Sequence, residues 1–545
     1  MKRLSLNNVT PYGTAATRMI KNFARMHDRY YQPGIVGTPE AENVGWPGDW
    51  EGRTVLALTL LARALDVEPA NVDDIVAWIH SHCNEKGYRG ELADLKSINE
   101  QQLSGHGWLL RGLVEYYYFR NDPVVKDRIE LIIRELFLPL RGKFAAYPRR
   151  PEDRVYEGEA AGELAGKVVS GWSISSDTGC AFISLDGITQ AYELLQLPEL
   201  HDLIKEMIDI FKTIDFTGIS MQTHATLTAT RGIMRMYQLT GNIEYLEIAK
   251  HIFEIYKLDG MTENYSNYNW FCRPSWTEPC GVIDSFILAF YLWEATQDAG
   301  YLDDAHHIWY NGICRGQRPN GGFGCDECVE DGFVRTHAHF YEAYWCCSMR
   351  GGEGVTAPAQ FGLYSEPEKI VFPFYGDGRY TPVPELTLRV RSDYPAEGRI
   401  AVEVEKGNGN ETQWSFFLPS WVKNPVITVD GKSVNYTIES GFACFSHIAQ
   451  TGGRIEVVFD IPVFTAEVIG NQHKGKGYRT IRYGTYVLGA HSDGDVPEKM
   501  PDLATLVAQG KGVFRSGNVL LQPLDQAYMM ETDELKEAEY RILFL

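Results

Sequence analysis

Six of the ten cysteines, several acids and two histidines fall in two neighbouring windows. These are MTENYSNYNWFCRPSWTEPCGVIDSF (261–286) and GGFGCDECVEDGFVRTHAHFYEAYWCCSMRGG (321–352). Glu278 and Cys280 flank Pro279, a residue that suits the first turn of a helix and not its interior. Cys280 is therefore expected at a helix N-terminus, where the dipole favours its thiolate. Cys346 and Cys347 are adjacent. On a helix adjacent side chains point about 100° apart, so both reach one metal only where the chain bends. Gly351-Gly352 predicts a helix ending just beyond them. Three thiolates and a carboxylate complete the four ligands of zinc. Two groupings are open: Glu278 and Cys280 with Cys346 and Cys347, or the C-x-x-C pair Cys325/Cys328 with Cys346 and Cys347. Uncoordinated core thiols are the third reading.

The histidines carry less information. His337 and His339 flank Ala338, so on a strand both would face one side as metal ligands; in a loop they would line a cleft. His224 in HATLTATRGIMRMYQLTGN reads equally as a satisfied helix histidine. His106 in SGHGWLL and Trp50-Glu51 in GWPGDWEGR resemble cleft-facing positions of toroid glycosidases.

These residues need elements to hold them. Up to about residue 355, segment after segment shows apolar residues at three-to-four spacing, from IVAWIHSHC to VIDSFILAFYLWEATQD. The links QLTGNIEYLEIA (238–249) and EATQDAGYLDDA (294–305) resemble each other, and FRNDPVVKDRI (119–129) is a looser copy. Repeated helical hairpins predict a solenoid or a closed ring. About twelve helices fit the length, as six pairs in a double ring with a cleft at its mouth. After about residue 360 the runs shorten and alternate, as in ELTLRVRSDYP and RIEVVFDIP, with turns at Asn408-Gly409, Asp430-Gly431 and Gly452-Gly453. The fold class read from this is α+β multidomain: an (α/α)6 toroid over 1–355, expected to be catalytic, then an antiparallel β-sandwich over 356–545. The acidic tail METDELKEAEYRILFL ends in a strand-like run.

The 545 residues carry a net charge of −21, which argues against nucleic acid or an anionic membrane as partner. No apolar run is long enough to span a bilayer. No apolar stretch follows Lys2-Arg3, so a secretory signal is not expected and a cytoplasmic location is. In such a reducing compartment cysteines are free thiols, ligands or catalytic groups. With 12 Trp and 30 Tyr, the chain has aromatics to line a sugar cleft as well as to fill cores. Homo-oligomerisation is left open.

The two windows resemble the β-L-arabinofuranosidases of glycoside hydrolase family 127 and relatives, whose Glu-x-Cys pair and downstream Cys-Cys pair bind one zinc ion. Glu278-Pro279-Cys280 and Cys346-Cys347 match in that order. HATLTATRGIMRMYQLTGN (224–242), YLDDAHHIWYNGICRG (301–316), VRSDYPAEGRIAVEV (390–404), FLPSWVKNPVITVDGK (417–432) and RYGTYVLGA (482–490) extend the resemblance. Asn242 stands where the family has Asp. The resemblance implies a six-pair toroid with β-sandwich elements and Zn2+ held by Glu278, Cys280, Cys346 and Cys347. It implies Cys346 as the nucleophile of a retaining mechanism, Glu263 as acid and base, and His224 in contact with the sugar. Substrate contacts are also assigned to His106, His337 and His339. Cys272 and the Cys325/Cys328 pair fall outside the family pattern and leave a second metal open.

The function expected is a retaining exo-glycosidase acting on terminal β-L-arabinofuranosides, or a related sugar, of an oligosaccharide or glycoside. Its rivals are a toroid hydrolase or lyase that uses carboxylates beside a structural zinc–cysteine site, and a non-catalytic carbohydrate-binding protein.

Overall fold

A computed structural model describes residues 1–36, 45–156, 165–328, 331–492, 494–525 and 539–545. Twelve helices of eight or more residues lie among them. They are α1 (Gly13–Arg25), α2 (Asp49–Leu65), α3 (Val72–Ser81), α4 (Glu100–Arg120), α5 (Pro123–Ile132), α6 (Ser184–Leu195), α7 (Pro198–Phe211), α8 (Thr223–Thr240), α9 (Ile243–Asp259), α10 (Pro279–Thr296), α11 (Gly300–His307) and α12 (Cys347–Phe361). The even-numbered helices form the inner ring. Each packs on the next, and α12 closes on α2. Helices α3, α5, α7, α9 and α11 each pack outside the inner helix before them, and α1 lies against α2 and α12.

The sequence explains this division. Helix α7 buries Leu200, Leu203, Ile204, Met207, Ile208 and Phe211, one stripe at three-to-four spacing. Helix α10 is buried all round from Pro279 to Trp293, as an inner helix must be. Inner helices approach through glycine. A Cβ on Gly52 would fall against the backbone of Trp108 and Leu109 of α4, and one on Gly107 would sit 2.6 Å from Ser184 Cα of α6. Five inner helices end alike. Asp66, Asn121, Gln196, Gly241 and Gln297 adopt left-handed φ of 54–69°, and each N–H bonds the carbonyl four residues back. The three similar links of the sequence are the turns α4–α5, α8–α9 and α10–α11. Asp122 and Asn242 then cap the helices that follow, accepting from Val124 N–H and Glu244 N–H at 2.9 and 3.1 Å.

The helix predicted to end at Gly351-Gly352 instead begins at Cys347 and runs to Phe361. Its glycines serve close packing. A Cβ on Gly351 would strike the Phe323 ring, and one on Gly352 would lie 2.7 Å from Ala57 Cβ of α2. The bend that brings the two cysteines together is at the other end, where Cys346 caps the helix with φ −144° and ψ −79°.

Two sheets follow. One runs Lys2–Arg3, Tyr364–Glu366, Lys369–Phe372, Glu411–Phe417, Phe442–Ile448, Thr437–Glu439. The other runs Lys432–Ser433, Lys423–Val429, Arg454–Asp460, Arg399–Lys406, Leu386–Ser392, Gly378–Val383, Val9–Pro11. Neighbours are antiparallel except Lys369–Phe372 with Glu411–Phe417. Arg399–Lys406 buries Ile400, Val402 and Val404 on alternate positions, as its pattern requires. A third, nine-stranded sheet joins Tyr486–His491 and its neighbours to Tyr540–Arg541, Phe333–Thr336 and Asp326–Cys328. The sheets thus draw strands from both ends of the chain and from between α11 and α12. Most of the acidic tail lies outside the described residues; Tyr540–Arg541 is the strand at its end. No described helix is long and apolar enough to cross a membrane.

Candidate functional site

The first turns of α2, α8, α10 and α12 meet at one mouth of the ring, around a cavity of about 210 Å³. Its lining includes Asp49 and Arg53 of α2, His224 of α8, and Cys346 and Cys347 at the start of α12. Asp177 and Gln222 come from loops, and Trp46, Trp276, Phe340 and Trp345 add aromatic faces. Four helix N-termini pointing at one space favour negative charge there.

On its floor, Glu278, Cys280, Cys346 and Cys347 bring four donor atoms within 4.8 Å of one another. Glu278 caps α10, with Pro279 and Cys280 in its first turn. Cys280 Sγ lies 3.3 Å from Cys346 Sγ and 3.6 Å from Cys347 Sγ, and Cys346 Sγ lies 3.8 Å from Glu278 Oε1. Tetrahedral zinc with bonds of about 2.3 Å sets sulfurs about 3.8 Å apart, so a small adjustment of the set around the ion suffices. Sulfur and carboxylate oxygen are both ligand types that zinc takes. Of the two zinc groupings the sequence left open, this is the one gathered. Cys325 lines the cavity beside Cys347, and Cys328 is not part of the four-atom set.

Neighbours hold the donors. Gln222 Nε2 donates to Glu278 Oε2 at 3.1 Å, and His224 Nδ1 stands 3.2 Å from Oε1. Asn269, with its amide nitrogen toward the carboxylate, donates to the same Oε2 at 2.7 Å and accepts from Trp276 Nε1. Arg53 clamps Asp49 through Nε and Nη2 at 2.7 and 3.0 Å and sets Nη1 3.5 Å from Cys280 Sγ. His224 stacks on Trp108, whose ring also lies 4.3 Å from the guanidinium carbons of Arg53 and Arg350. Beneath it, Arg111, Arg231 and Arg350 interlock with Asp186, Asp284 and Glu353 across the ring's axis.

The three thiols share their charge unequally. Hydrogen bonds from Cys280 and then Cys347, with Arg53 nearby, hold Cys346 well below the usual thiol range. Burial pushes Cys280 up, and the hydrogen bonds of Cys347 to Cys280, Cys325 and Cys346 push it up as well. Cys346 is half-buried, whereas Cys280 and Cys347 are buried. The sulfur held low is thus the least buried of the three.

Residues 372–461 match a family model described as the middle domain of GH127 β-L-arabinofuranosidase. That match covers one segment of the β region, which is similar to that domain. Over its whole length the chain also has the fold of solved relatives. A GH127 β-arabinofuranosidase is 12% identical, with TM-score 0.71 over 100% of this chain and 97% of its own. A glycoside hydrolase is 14% identical, with TM-score 0.69 over 99% and 97%. A GH127 β-L-arabinofuranosidase from Geobacillus stearothermophilus T6 is 13% identical, with TM-score 0.64 over 97% and 93%. No curated protein matches.

The other residues singled out in the sequence lie elsewhere in the chain. Glu263 is outside the cavity lining: its Oε2 accepts from Ile469 N–H at 2.7 Å and its Oε1 from Gly470 N–H at 3.3 Å. Burial raises its carboxyl above the usual range against those two bonds. His106 is buried with both nitrogens engaged, Nδ1 on Gln102 O at 2.7 Å and Nε2 accepting from Arg89 N–H at 3.0 Å. Burial pushes it down to about 4. His337 stacks behind Phe340, its Nδ1 accepting from the amides of His339 and Phe340 at 3.2 Å, and the exposed His339 is outside the lining. Trp50 and Glu51 face inward, Glu51 onto Arg89 at 2.8 Å; their neighbour Asp49 lines the cavity. Cys272 is exposed and outside it. Asp49, Arg53, Asp177, Gln222 and Asn269 escaped sequence reasoning. Only the D-W-E-G-R step opening α2 carried a signal, a charged pair at i, i+4.

Proposed function

We propose that this chain is a zinc-dependent retaining glycosidase that removes a terminal β-L-arabinofuranosyl group, or a related furanoside, by way of Cys346. The observation that carries this reading is the half-buried Cys346 sulfur, set in a four-donor cluster on the floor of a cavity. A cavity of about 210 Å³ suits one sugar unit; drug-sized ligands take about 300–1,000 Å³. Glu278, Cys280, Cys346 and Cys347 would hold zinc, whose charge keeps thiols ionised at neutral pH.

The residues divide the work. The Cys346 thiolate attacks the anomeric carbon as the glycosidic oxygen leaves, forming a thioglycoside. Water then displaces the sulfur, so two inversions give net retention. Cys280 and Cys347 stay buried and keep the loop start of α12 in place. His224 and Gln222 fix the Glu278 carboxylate, and the aromatic walls exclude water and offer ring faces to the sugar. The glycoside relatives supply the sugar of this proposal; nucleic acid plays no part in it.

The test is a panel of aryl furanosides and pyranosides assayed with wild type and Cys346→Ser. Wild type should hydrolyse aryl β-L-arabinofuranosides. The variant should lose at least about 10³-fold in kcat. Mass spectrometry of quenched wild type should find a pentosyl adduct on the Cys346 peptide. A fully active Cys346→Ser enzyme would remove the thioglycoside route and leave a carboxylate hydrolase with a structural metal site.

A further inference from the structure

A sulfur nucleophile needs a partner that protonates the departing oxygen and later deprotonates water. Three described carboxylates line the cavity: Asp49, Asp177 and Glu278. Two are committed. Asp49 is locked in the two-pronged grip of Arg53, and Glu278 belongs to the donor cluster, with Gln222 on its other oxygen. Asp177 forms no ion pair with a described residue. It is half-buried, and its carboxylate accepts from the Gln222 amide, which also reaches Glu278.

The loop that carries Asp177 is built to hold it still. Gly171 and Trp172 lie beside Ile98 in a short sheet, and Glu100 Oε2 accepts from Ser175 N–H at 2.8 Å. Ser175 Oγ accepts from Asp177 N–H at 3.1 Å, and Thr178 O accepts from Gln222 N–H at 3.0 Å. The side chain is thereby aimed into the cavity from the wall formed by the start of α8.

We propose that Asp177 is the acid–base catalyst of this site, an assignment that rests on the thioglycosidase reading above. In the first step a bond forms between Cys346 Sγ and the anomeric carbon. The bond from that carbon to the leaving oxygen breaks, its electron pair goes to the oxygen, and the oxygen takes the Asp177 proton. In the second step water oxygen bonds to the carbon and the electron pair of the breaking C–S bond returns to sulfur. Asp177 takes the proton that water gives up. Burial is the first of the causes that raise the Asp177 carboxyl above the usual carboxylate range.

Zinc-loaded Asp177→Asn and wild type are compared on 2,4-dinitrophenyl and alkyl β-L-arabinofuranosides, with and without azide. On the alkyl glycosides the variant should lose about 10²–10⁴-fold in kcat/KM. On the activated substrate its burst of dinitrophenol should stay near the wild-type rate. Its slowed turnover should be restored by azide, with glycosyl azide as product. Equal losses on both substrates, or no acceleration by azide, overturn the assignment. Glu263→Gln is run beside it, and should that variant show the leaving-group split and azide rescue, Asp177 is displaced. If Asp177→Asn loses zinc or fold, Asp177→Gly is put through the same azide assay, where rescue supports the assignment and its absence overturns it. A wild type inactive on every glycoside overturns both readings. An active wild type with a labelled Cys346 and an unremarkable Asp177 variant overturns only this one.

Discussion

Single side chains decide whether the cluster is a metal centre. Arg53 stands 3.5 Å from Cys280 Sγ and His224 3.2 Å from Glu278 Oε1, so both orient donors without being donors. Cys280→Ala is expected to abolish stoichiometric zinc and Cys325→Ala to retain it, read by elemental analysis of the purified proteins. Loss in Cys325→Ala alone would favour the all-cysteine set. Arg53→Met should weaken zinc by about 10–100-fold in competition with a chelator, the usual cost of losing an outer partner. Unchanged affinity would mean that Arg53 serves Asp49 alone.

At the scale of elements, the ring depends on how closely its inner helices approach. The Gly107 contact with Ser184 leaves no room for a methyl group. Alanine is the better helix former by about 1 kcal/mol, yet overpacking costs about 1–3 kcal/mol where backbone blocks the new atom. Gly107→Ala should therefore lower the melting temperature, although propensity alone predicts a rise. A raised melting temperature would show that α4 and α6 can move apart. The same physics explains Gly351-Gly352, which read as a helix end and are a helix contact. Glycine at a buried interface and glycine at a cap are the same letter, and only the neighbour across the interface tells them apart.

At the scale of the molecule, the ring is fastened to the sheets through α11 and the turns after it. His306 Nδ1 lies 2.8 Å from Tyr394 Oη and Nε2 lies 2.9 Å from Pro373 O. Asn311 donates to Thr485 O at 3.0 Å and accepts from Val487 N–H at 2.7 Å, which gives the Tyr-Asn-Gly segment its place. Burial lowers His306 from 6.5 to about 4. A depressed folded pKa contributes stability that is whole above the unfolded value and is lost as pH falls. Between pH 6.5 and about 4 the seam should lose about 3 kcal/mol, at about 1.4 kcal/mol per unit. Denaturant unfolding of wild type and His306→Gln across that window should converge toward acid, and parallel curves would exclude His306 as the cause. The sequence by itself determined helices α3 to α10, the alternating strands and the order of the Glu-x-Cys and Cys-Cys pairs. Period, turn chemistry and ligand type are local, so single segments carry them. Which way a polar side chain faces is not local. Glu263 turned to the backbone of Ile469 and Gly470, His106 to Gln102 and Arg89, and Asp49 and Asp177 to the cavity. Only the tertiary structure could decide that: the partners of Glu263 lie 206 and 207 residues away along the chain.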